Sequence, residues 1–97
     1  MDRFNVRVEL LNGANGDDYG ALHQRMMASG FATAVVADDG RTYHLPPAEY
    51  VHVADDGARS VRNAAIAVVS DGLRPGLAFR IYVVQFVDWA SENLQPM

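Results

Sequence analysis

The sequence predicts a small α+β domain whose elements run β-α-β-β-α-β. Three observations predict it. Apolar residues alternate near both ends of the chain, they recur at helical spacing in two stretches between, and turn residues mark each change of pattern. With 97 residues the chain suits a single domain, 1–97, because a core much larger than this one needs a longer chain.

The first strand is residues 4–11. Phe4, Val6, Val8 and Leu10 fall on one side, and Asn5, Arg7 and Glu9 on the other. Asn12-Gly13-Ala14-Asn15-Gly16 ends it. Helical spacing follows over 18–29, with Tyr19, Leu22, Met26 and Ser29 on one stripe. Asp17 or Asp18 is placed to cap its start, where a carboxylate accepts free N–H groups and suits the helix dipole. Gly30 fits the residue after the helix, with Phe31 folding back on Met26 or Met27.

Residues 32–37 suit a short strand, and Asp38-Asp39-Gly40 a tight hairpin turn. The chain returns as a long, bent arm over 41–53, interrupted by Pro46-Pro47, which cannot donate to a sheet ladder. Such an arm belongs at or near a sheet edge. Asp55-Asp56-Gly57 precedes a second helix at 58–70, with Val61, Ala64, Ala65, Val68 and Val69 as its apolar stripe. Gly72 closes it and Pro75-Gly76 turns the chain.

The last strand is 77–87, with Leu77, Phe79, Ile81 and Val83 inward and Ala78, Arg80, Tyr82 and Val84 outward. A tail over 88–97 carries Trp89, expected with Phe86 to cover the open end of the core. This order describes a ferredoxin-like fold, a four-stranded antiparallel sheet with two helices on one face. The last strand, the first, the returning arm and the 32–37 strand then lie side by side in that order. Arg7, Glu9, Arg80 and Tyr82 stand together on the face without helices.

Composition narrows the function classes. Hydrophobic residues make up 49% of the chain and charged residues 21%, a globular balance. There is no cysteine, which excludes disulfides, thiolate metal sites and a cysteine nucleophile. Net charge is −4, and all 8 basic residues are arginine. That argues against sequence-independent coating of DNA but allows a local arginine patch. No apolar run approaches the ~20 residues needed to span a bilayer. The N-terminal Met-Asp-Arg-Phe-Asn lacks a signal-peptide core, so a cytoplasmic setting is expected.

One stretch resembles a known family. It reads Tyr19-x-x-Leu22-His23-x-x-Met26-x-x-x-Gly30-Phe31, then Asp38-Asp39-Gly40-x-x-Tyr43-x-Leu45-Pro46-x-Ala48-Glu49-Tyr50. With Phe4-Asn5 and the layout of the second helix and last strand, it resembles the small bacterial and phage proteins grouped with GhoS-type endoribonuclease antitoxins of type V toxin–antitoxin systems. The resemblance implies a ferredoxin-like fold related to the small CRISPR adaptation nucleases. It also implies cleavage of the messenger RNA of a small membrane toxin. The nuclease relatives carry an aspartate at the end of the first strand to hold a metal, whereas this chain has Asn12, a poorer ligand for Mg²⁺. No metal or cofactor is expected. A basic residue mid-way along the first helix of GhoS-like proteins falls near His23 and Arg25, the candidate catalytic residues of a possible endoribonuclease.

Metal-free RNA hydrolysis needs a base, a proton donor and positive charge at the phosphate. His23 and Arg25 have the chemistry, yet two positions apart on a helix they point in different directions. The plainer reading of His23 is a boundary histidine. His44 and His52 lack a third metal ligand at useful spacing, and the Asp pairs read as caps and turns. Arg7, Arg80 and Tyr82 suit RNA binding on an open sheet, or a homodimer interface. Pro46, Pro47 and Tyr50 suit a stiff partner-docking loop, or a bend protecting an edge strand.

Two functions follow. One is a GhoS-like antitoxin acting on RNA. The other is a non-catalytic interaction module of phage or mobile-element origin, docking on a host or defence protein, which the acidic balance favours. Both fit a homodimer. No membrane partner and no small-molecule ligand is indicated.

Overall fold

A computed structural model describes residues 1–97. Seven elements follow in order: β1 (Asp2–Leu11), α1 (Gly16–Ala28), β2 (Ala34–Val36), β3 (Thr42–His44), β4 (Glu49–Ala54), α2 (Ala58–Ser70) and β5 (Ala78–Phe86). The alternation in β1 does what period two requires: Phe4, Val6, Val8 and Leu10 are buried, and Arg7 and Glu9 are exposed. Being apolar on one face over its whole length, β1 takes the centre of a three-stranded sheet ordered β4-β1-β5, antiparallel to both neighbours.

α1 is capped by Asn15, not by Asp17 or Asp18. The Asn15 side chain accepts from the Asp18 backbone N–H at 3.0 Å, and Asp18 accepts from the Asn15 backbone N–H at 2.9 Å. This reciprocal box satisfies two otherwise free donors. At the other end Gly30 has φ +86°, and Phe31 N–H bonds back to Met26 O at 2.9 Å. That turn drives the Phe31 ring into the core beside Leu22 and Met26. α2 buries Val61, Ala65 and Val69, leaving Ala64 exposed, and its N-cap, Gly57, contributes no side-chain bond. Asp55 and Asp56 therefore do not cap it.

The sheet differs from the expected four strands. β2 and β3 form a separate two-stranded hairpin, joined to the main sheet only by an isolated bridge between Ala32 and Val51. The cause lies in the arm. Pro46 and Pro47 remove two donors, and Ala48 adopts φ +65°, so β3 and β4 cannot be one continuous strand. The tail then returns to the hairpin: His44 N–H bonds Gln95 O at 2.8 Å, and Met97 N–H bonds Thr42 O at 3.0 Å. Trp89 accordingly lies with the tail by the helix-free face of the sheet, not over the core. No helix is long and apolar enough to cross a membrane.

Candidate functional site

The helix-free face of β4-β1-β5 carries the residues singled out from the alternation. Cross-strand register places Arg7 opposite Tyr82 and Glu9 opposite Arg80. Arg80 Nη1 donates to Glu9 Oε1 at 2.9 Å, an exposed ion pair. Arg7 makes no side-chain hydrogen bond or ion pair within the protein, and Tyr82 is 68% exposed. Toward the other end of the same face the surface becomes apolar. Val53 and Phe86 flank Arg3 in the register, and the Arg3 guanidinium sits 5.0 Å from the centre of the Phe86 ring. The face thus carries three arginines, Arg7 unpartnered, Arg3 set over the Phe86 ring and Arg80 paired with Glu9, beside an exposed tyrosine and aliphatic side chains.

The residues expected to act in catalysis separate. Arg25 turns to the second helix: its Nε and Nη2 donate to Val68 O at 3.2 Å and Val69 O at 3.1 Å. These carbonyls lie in the last turn of α2, where acceptors lack helical partners and the dipole favours a cation. Arg25 clamps α1 to the end of α2. This corrects the pairing of Arg25 with His23.

His23 projects the other way, into the core's margin. Its Nδ1 meets the Tyr50 hydroxyl at 2.5 Å, with ring centroids 5.6 Å apart. Burial holds the His23 pKa below the ordinary histidine value, and burial likewise pushes the Tyr50 phenol up to about 12. Both are therefore neutral near pH 7. The Tyr50 hydroxyl has no other acceptor, so it donates to Nδ1, which leaves the imidazole proton on Nε2. Tyr50 itself is fully buried, which removes it from the docking loop; Pro46 and Pro47 remain exposed. The phase of β4 is the reason: Tyr50 falls on the helix side, and Glu49, Val51 and Val53 on the open side.

A cleft of about 290 Å³ does bring together parts that are distant in sequence. His23 from α1, Thr33, His44 from β3, Pro46-Pro47 and Glu49 all line it. His52 lies elsewhere, stacked on Phe31 at 4.3 Å with Nδ1 at 3.0 Å from Gly30 O. No group of three or more His, Asp or Glu side chains is placed to hold a metal ion. The conjunction of His23 with His44 was not visible in the sequence, because it depends on how the arm bends after Leu45. A scan against protein-family models and a search of curated proteins return no match for this chain.

Proposed function

We propose that this chain is a non-catalytic interaction module, related in fold to the ferredoxin-like GhoS-type proteins, that docks on a protein through its helix-free sheet face. One observation carries the reading. That face offers exposed tyrosine and aliphatic side chains, while its Arg80 is already closed on Glu9. Tyrosine and arginine among apolar neighbours are typical of protein-binding surfaces, whereas a phosphate-binding face needs several free cations. Arg25 points the same way, since its guanidinium is engaged by two carbonyls of α2 rather than hydrogen-bonded at the candidate base. On this reading the β2–β3 hairpin is the displaced outer portion of a four-strand ferredoxin-like sheet, still tied by the Ala32–Val51 bridge. The setting is cytoplasmic, and the bound protein is a host or defence component or a second copy of the chain.

The GhoS-like reading, action on RNA, is favoured by one feature: Arg7 and Tyr82 are cross-strand neighbours, and Arg7 is unpaired. An arginine beside an exposed aromatic ring can hold a phosphate and stack a base. Two assays separate the readings. The purified chain is incubated with structured and single-stranded transcripts, with and without EDTA, and its binding to them is measured. In parallel, the wild type and the Arg7→Glu/Tyr82→Ala variant are used as paired baits. A partner held stoichiometrically by the wild type and lost by the variant supports the docking module. RNA cleavage, or RNA binding lost in that variant, replaces it with the GhoS-like activity.

A further inference from the structure

The C-terminal tail makes a cavity that no sequence pattern announced. After β5 the chain crosses toward β3, where Gln95 and Met97 are fixed by backbone hydrogen bonds. Between this strap and the open side of the sheet lies a cavity of about 430 Å³. That is within the roughly 300–1,000 Å³ of small-molecule sites. Its floor includes Val51 and Phe86, and its roof includes Trp89 and Leu94. The charged side chains that line it share one sign, beside the neutral Asn5 and Ser91. Glu49, Asp88 and Glu92 line it, with no arginine or histidine. None of the three forms an ion pair, although Arg7 stands beside Glu49 in the strand register. Asp88 uses one carboxylate oxygen to accept the Trp89 backbone N–H at 2.9 Å, which leaves the other free.

We infer that the cavity under the tail binds a small organic cation, an ammonium carried on an apolar or aromatic body. The Trp89 indole and the Phe86 ring supply surface for the body, and the indole supplies face-on attraction for the positive charge, the Phe86 ring already carrying Arg3. Three unpaired carboxylates disfavour an anion and attract an ammonium by opposite charge. The apolar floor and roof exclude highly hydrated ions, whose desolvation nothing here would repay. The cavity adjoins the Arg7–Tyr82 end of the sheet through Glu49, but the inference does not require a partner to dock there.

The chain has one tryptophan, so the fluorescence of Trp89 reads occupancy directly. The full chain is titrated with benzyltrimethylammonium, with phenylacetate as the anionic comparator, and with a Gly-Lys-Gly peptide to present an ammonium from another chain. Saturable change with benzyltrimethylammonium supports a free cation as the ligand; saturation by the peptide alone transfers the site to a lysine side chain and overturns the small-molecule assignment. The Glu49→Gln/Glu92→Gln variant is expected to weaken the cation by about tenfold or more. Amide shifts in the wild-type spectrum, centred on Val51, Phe86 and Trp89, locate the site without relying on any variant. No saturation by the cation, equal response to phenylacetate, or shifts confined to other residues would overturn the inference.

Discussion

On the helix side of β1, Phe4, Val6 and Val8 are fully buried and no polar or charged residue is buried with them. One residue along the same strand, Arg7 and Glu9 stand in solvent opposite Tyr82 and Arg80. The same ten residues therefore do two unrelated jobs. The buried set ties the sheet to both helices, and nothing in the open set is needed for that. Only 11 residues are buried in all, so each large side chain in the core carries a heavy share. A surface decoupled from the core in this way can vary in chemistry without unfolding the domain, which is what a docking surface requires.

The sharpest way to break this contrast is to cut the buried side. Phe4→Ala is expected to cost about 3–5 kcal/mol, a large part of a small domain's stability, measured by urea denaturation. Arg25→Ala comes next. Losing two charge-assisted bonds to the end of α2 should cost about 1–2 kcal/mol in the same assay, with no change in any activity of the folded protein. Were Arg25 a substrate contact, stability would hold and activity would fall.

His23 tests the boundary between the two regimes. Its folded pKa lies below the ordinary 6.5, so the unfolded chain takes up the extra proton. Its contribution is fully present above about pH 6.5 and is lost as pH falls through the lower folded pKa. Denaturation midpoints should decline on acidification, and His23→Gln should flatten that decline. The smallest effect belongs to the open face. A double-mutant cycle on Glu9 and Arg80, both more than half exposed, should return only about 0.2–1 kcal/mol.

The two regimes also differed in legibility. β1, α1, α2 and β5 could be read from spacing, because a repeating apolar side leaves a periodic trace; the opposition of Arg7 and Tyr82 followed from it. What escaped the sequence were contacts that periodicity does not encode. Arg25 reaches carbonyls 43 and 44 residues away, and nothing local distinguishes it from a solvent-facing arginine. Tyr50 follows two prolines and Ala48 at φ +65°, so the phase of β4 was lost just where it decides whether that ring docks a partner or fills the core. Asn15 was passed over for the neighbouring aspartates because all are competent caps. Residues 88–97 have no alternation at all, and their course over the sheet is set by two backbone bonds to β3.

The absence of cysteine allows the central contrast to be measured directly. Single thiols are placed by Arg7→Cys, Tyr82→Cys and Val8→Cys, and their alkylation rates in the folded protein are compared with the same chains unfolded. At low protein concentration the account predicts near-unfolded rates at positions 7 and 82 and strong protection at position 8. Protection of position 82 to the level of position 8 in the dilute monomer would contradict it.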